Sequence, residues 1–310
     1  MVHTQLVIRP PRFRKAEIRA TVLYNADFVN GDFATSGQAM DKVQRNSSVR
    51  RAAVAGLFYS KDPHQLRQEV EDFVAAVPSS AGSRVKAIIA PHAGYVYSGS
   101  TAGAAFAAMR GQFNAIRRVI VIGPAHYVPL RGIAVPSADV FETPLGRLPL
   151  DQAALQSISD LPFVHVSDAP HTPEHALEVE LPFVQILIGD CELVPLLVGH
   201  AEPAEVAQVL DRLWDGASTL IVISSDLSHY HEYDRACRLD GDTAALIETG
   251  EWAQLNANRA CGYLPIAGLL VEATRRGLAA RRLALCNSGD TAGDRTQVVG
   301  YGAWSFAAQQ

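Results

Sequence analysis

Cysteine is scarce: four residues, at 191, 237, 261 and 286, in no CxxC pair and no dense framework. That excludes a disulfide-stapled secreted scaffold and a thiolate zinc ribbon, and reads as reduced thiols in a cytoplasmic protein. No apolar run approaches the roughly 18 residues that span a bilayer, and the basic N-terminus lacks the apolar core of a signal peptide. After that N-terminus there is no run of lysine or arginine, and the formal charge is −5, which argues against a nucleic-acid partner. Charged residues are only 19% of the chain and hydrophobic ones 48%. The chain is therefore globular, with enough apolar side chains for a large core.

Residues 1–48 contain Pro10-Pro11, scattered charges and no sustained period. They are expected to form a poorly ordered extension, and Met40 offers an alternative start. From residue 49 onward the pattern is regular. Asp62 and Pro63 open a helix over 62–77, with Leu66, Val70, Phe73, Val74 and Val77 on one face. Short apolar runs at 85–90, 118–123, 192–199 and 219–224 read as buried strands, and 297–306 as a closing one. Helical candidates lie at 98–110, 151–158, 173–188, 203–214, 236–249 and 265–276. This alternation predicts a single α/β domain over 49–310, with a mostly parallel central sheet covered by helices on both faces.

Three of ten histidines directly follow an apolar run: His92 after AIIAP, His126 after VIVIGPA, and His229 after LIVISSDLS with Asp226 just before it. In open α/β sheets the ligand crevice lies beyond the carboxyl ends of the strands, so these histidines are expected to face one pocket. His200 follows ELVPLLVG in the same style and is set aside as a decoy. Cys261, between Ala260 and Gly262 and four residues before Pro265, is the thiol placed for ligation near a helix start; it also reads as a small buried apolar residue. Thr172 and Pro173 are expected to open a helix that carries Glu174, His175 and Glu178. Those three could ligate, orient or relay protons, or simply form a solvated first turn.

These segments together resemble the Memo family: PHAGYVYSG (91–99), GPAHYVPL (123–130), EHALEVELPF (174–183), SSDLSHY (224–230) and ACGYLPI (260–266), flanked by AVAGLFYSKDP (53–63) and VVGYGA (298–303). In bacteria and archaea such chains are called AmmeMemoRadiSam system protein B. The name implies a radical SAM enzyme and an AMMECR1-like protein encoded nearby as candidate partners. The resemblance further implies the fold of class III extradiol (LigB-type) dioxygenases, and a pocket holding iron or copper on His92, His126 and Cys261, with Asp226 and His229 lining it. The dioxygenases use a carboxylate where this chain has Cys261, which argues against a catechol substrate; a thiolate suits zinc as well. The leading expectation is a metal-dependent oxidoreductase with His229, Asp226, Glu174 and His175 in catalytic roles. The alternatives are a module binding a peptide or small molecule within an aromatic rim of Tyr95, Tyr97, Phe58 and Tyr59, and a copper or iron carrier.

Overall fold

The computed structural model describes residues 48–78 and 84–308. The expectation for residues 1–48 therefore falls, but for Ser48, outside the described residues. The strands are β1 (Val49–Arg50), β2 (Val85–Ala90), β3 (Arg118–Pro124), β4 (Ile133–Val135), β5 (Val140–Thr143), β6 (Gly146–Pro149), β7 (Val164–Val166), β8 (Glu192–Val198), β9 (Thr219–Ser224), β10 (His229–His231), β11 (Leu278–Asn287) and β12 (Val298–Ala308). The helices are α1 (Pro63–Ala75), α2 (Tyr95–Ala107), α3 (Gln152–Ser157), α4 (Asp168–His171), α5 (Leu181–Leu187), α6 (Pro203–Leu213), α7 (Tyr233–Thr249) and α8 (Tyr263–Arg275). Among them no helix is long and apolar enough to cross a membrane.

The main sheet runs β10-β12-β2-β9-β3-β8-β4-β7, with β11 also paired to β12. Its centre, β2-β9-β3-β8, is parallel. These are the runs read from sequence, and Ile88, Ile89, Ile120, Ile122, Leu196 and Ile221 in them are fully buried. Antiparallel pairs flank this centre, β12 against β2, β11 against β12 and β4 against β8, while the edge strand β7 runs parallel to β4. The sheet is thus mixed. β1, β5 and β6 form a small second sheet.

Helices cover both faces. On β11, Cys286 meets Thr101 of α2 at 3.1 Å, while its neighbour Asn287 donates to Cys237 of α7 at 3.4 Å. Successive strand residues point to opposite faces, so α2 and α7 lie on opposite sides of the sheet. Helix α1 starts as its sequence dictates, with Asp62 accepting from the Gln65 amide at 2.8 Å.

The segment after α4 departs from expectation. Thr172 and Pro173 open no helix: α4 ends at His171, residues 172–177 form a turn, Glu178–Glu180 make one 3₁₀ turn, and α5 starts at Leu181 with Pro182 in its first turn. The Glu174 carboxylate accepts from the amides of His175 and Ala176, a local alternative to helical hydrogen bonding.

Candidate metal centre

β2, β9 and β3 are parallel neighbours, so their carboxyl ends deliver His92, the Asp226–His229 turn and His126 to one edge of the sheet. The turn 172–177 then lays His175 across them. Glycine at 123 allows this approach, since a Cβ there would stand 3.3 Å from the Cβ of Ala176 and 3.1 Å from Leu177. The ring centroids of His92, His126 and His175 lie 5.2, 5.3 and 4.9 Å apart. One ligand nitrogen from each falls within 4.8 Å of the others.

Every imidazole in the cluster has its Nδ1 engaged. Nδ1 of His92 meets Ser224 Oγ at 2.8 Å, and those of His126 and His175 meet Glu174 Oε1 at 2.9 and 3.2 Å. Nε2 is then the remaining nitrogen of each ring, and that of His92 faces Cys261 Sγ. Glu174 is 2% exposed, and its other oxygen accepts the His126 amide at 2.6 Å. Burial alone would raise its carboxyl, but hydrogen bonds from His126 and His175 outweigh that and hold it well below the usual carboxylate range. His92 is buried, and burial followed by the neighbouring histidines depresses its basicity, keeping the ring neutral.

Cys261 arrives from the loop before α8. Its Sγ lies 3.4 Å from His92 Nε2, and its amide donates to the Asp226 carbonyl at 3.2 Å. Glycine at 262 permits this closeness, because a Cβ there would sit 2.7 Å from that of Ser225. Burial and then the Asp226 charge push the thiol up to about 12, so only a bound cation would make it a thiolate at neutral pH. Bonds of roughly 2.3 Å to sulfur and 2.0 Å to nitrogen, meeting tetrahedrally, place those atoms roughly 3.5 Å apart. Cys261 and His92 already stand at that separation. The three histidines therefore fit a metal ion, while Cys261, expected from the sequence as a third ligand, stands against His92 but outside the group of donors that lie within 4.8 Å of one another.

A pocket of about 740 Å³ opens onto the cluster, lined by His92, His126, His175, Asp226, His229, Phe58 and Tyr97. Cys261 opens on the other side, onto a second pocket of about 420 Å³ whose shared wall is His126 and Tyr127. His229 gives its Nδ1 to the Leu227 carbonyl at 2.8 Å, which fixes its tautomer and leaves Nε2 bare. Asp226 does not set that tautomer; its Oδ1 accepts the His92 amide at 2.9 Å. Burial raises the Asp226 carboxyl, with the charge of His229 opposing.

Two expected rim residues lie elsewhere. Tyr59 and Tyr95 are 4% exposed, and their hydroxyls donate to Glu178 and to the Val179 carbonyl, at 2.6 and 2.8 Å. Phe58 and Tyr97 do line the pocket, joined by Tyr127, Tyr230 and Tyr301, which the sequence reading missed. Tyr230 sits at φ 60°, a region non-glycine residues seldom adopt, and is 70% exposed. Glu178 points away from the cluster and binds Arg50, Tyr59 and the amides of Ala53 and Val54. His200 is exposed and outside the cluster.

An α/β domain with clustered imidazoles at the carboxyl ends of parallel strands defines a class, that of candidate metal-binding α/β proteins. The comparisons narrow it. The model of the Memo-like protein family matches residues 50–305, and the chain belongs to that family. A MEMO1 family protein of Methanothermobacter thermautotrophicus is 31% identical over 274 residues, covering 82% of this chain and 98% of its own length. Those of Aquifex aeolicus and Aeropyrum pernix are 32% and 33% identical, each across 82% of this chain and 97% and 98% of theirs.

Proposed function

We propose that this Memo-family protein binds one iron or copper ion through His92 and His126, with Cys261 and His175 completing the donor set, and works as a redox protein on a small molecule admitted through the large pocket. The observation that carries the reading is that His92, His126 and His175 each bring one ring nitrogen within 4.8 Å of the others. Each ring's Nδ1 is tied to a carboxylate or hydroxyl, the outer-shell pattern that orients metal-ligating histidines. Such an ion would supply Lewis acidity and one-electron chemistry. The chain's own contribution is positional: Glu174 orients His126 and His175, Ser224 orients His92, and the bare Nε2 of His229 takes up a proton from a pocket-bound ligand. Phe58, Tyr97 and Tyr127 give that ligand an aromatic wall.

The exposed Tyr97, Tyr127 and Tyr230 around the opening favour a second reading, in which the pocket holds a peptide without turnover. Anaerobic purification of the full chain followed by elemental analysis tests the first. His92→Ala and His126→Ala should abolish bound iron or copper, while His175→Ala and Cys261→Ser rank the remaining donors. Metal content unchanged in all four variants would defeat the assignment. Peptide binding that survives His92→Ala would favour the second reading.

A further inference from the structure

Beneath the imidazole cluster, on the side away from the pocket, lies a hydrogen-bond junction centred on Ser224. This residue ends β9 and is fully buried. Its Oγ has three polar neighbours: the Ala176 carbonyl at 2.6 Å, His92 Nδ1 at 2.8 Å and Glu180 Oε1 at 3.1 Å. A hydroxyl has one proton to donate and two lone pairs to accept with. The carbonyl can only accept, so at 2.6 Å the hydroxyl proton goes to Ala176. Both remaining neighbours must then donate to Ser224. That puts one proton on His92 Nδ1 and one on Glu180 Oε1, and the count closes with nothing left over.

The surroundings of Glu180 agree. Its side chain has no exposure, and its Oε2 has no hydrogen-bond partner. Among the described residues no lysine, arginine or histidine pairs with it. An ionised carboxylate there would be an uncompensated buried charge, whereas a carboxylic acid leaves only one neutral carbonyl oxygen unpaired. Burial holds the group well above the usual carboxylate range.

We infer that Glu180 is a neutral carboxylic acid in the folded protein and that Ser224, its one proton committed to Ala176, is a positioning residue that keeps the His92 proton on Nδ1 so that Nε2 turns its lone pair toward Cys261 and the cluster. The consequence for ligation rests on the metal-site reading; the protonation state does not. Moving the His92 proton to Nε2 would leave Nδ1 facing the lone pairs of an oxygen whose only proton is committed to Ala176. The junction thus selects the ligating tautomer before any ion arrives.

Two measurements on the full-length chain test this. Infrared difference spectroscopy of wild type against Glu180→Gln should show the carbonyl stretch of a protonated carboxyl, shifted in D₂O and absent from the variant. Identical spectra in that region would overturn the inference. Long-range ¹H–¹⁵N correlation of chelator-treated protein should show His92 protonated on Nδ1 in wild type and in Glu180→Gln, whose amide still donates to Ser224. Ser224→Ala, which removes the acceptor for Nδ1, should give mixed tautomers and bind Zn(II), the probe ion, about 10- to 100-fold more weakly. An Nε2–H tautomer in wild type, or an unchanged tautomer and Zn(II) affinity in Ser224→Ala, would also overturn it. A protonated Glu180 in a chain that binds no metal would leave this inference standing and remove the metal-site reading. Bound metal with an ionised Glu180 would do the reverse.

Discussion

Two buried groups outside the pocket carry sharp energetic consequences. Glu178, fully buried, neutralises Arg50 and takes three further hydrogen bonds, from Tyr59 and from the amides of Ala53 and Val54. Removing one partner of such a pair leaves the other charge stranded, so Glu178→Gln should destabilise the fold by about 3–5 kcal/mol in urea titrations while leaving metal content unchanged. His171 is also buried, with Nε2 on the Ala134 carbonyl at 3.1 Å and Nδ1 unpartnered. Burial lowers its folded-state pKa to about 4. The unfolded chain, with an ordinary value of about 6.5, binds the proton more readily, so this group's contribution is intact above about 6.5 and lost as pH falls toward 4. A separation of about 2.5 pH units is on the order of 3 kcal/mol. His171→Gln should flatten the fall in unfolding free energy over that window, as measured by denaturant titration at each pH; a slope matching wild type would exclude His171 as its source.

The helix pair α1 and α2 shows how a weak sequence signal becomes a close contact. α2 is rich in glycine and alanine, and a Cβ at Gly103 would stand 2.7 Å from the Phe73 Cβ and 2.8 Å from its backbone. Alanine normally gains about 1 kcal/mol over glycine inside a helix. Here the backbone of α1 cannot yield, so Gly103→Ala should instead cost about 1–3 kcal/mol of unfolding free energy. The elements of the parallel centre were legible in the sequence because both faces are covered and the runs are continuously apolar. β11, with Arg281 and Arg282 in its middle, was not legible, because its identity comes from pairing along β12. The Thr172 helix failed for a related reason: a proline-initiated pattern says where a helix can start, not whether a nearby carboxylate will take its amides.

At the scale of the molecule, the site joins His92, His126, His175, the Asp226–His229 segment and Cys261 from five separate stretches of chain. An ion binding only the folded arrangement should stabilise the whole domain, by about 2.7 kcal/mol when free ion is 100-fold above its dissociation constant. Thermal unfolding with and without Zn(II) or Fe(II) should show that gain in wild type and lose it in the double variant His92→Ala/His126→Ala. A gain of equal size in the double variant would place the binding elsewhere.

The sequence by itself determined the alternation of elements, the strand ends that carry His92, His126 and His229, and the motifs that mark the family. Each depends on local periodicity or on residues adjacent in the chain. Only the tertiary structure decided that His175 joins the cluster, that Cys261 stands against His92, that Tyr59 and Tyr95 belong to the interior, and that Glu180 lies behind Ser224. Those relations are set by which strands neighbour one another and by how closely turns can approach over Gly123 and Gly262. No local pattern encodes that proximity.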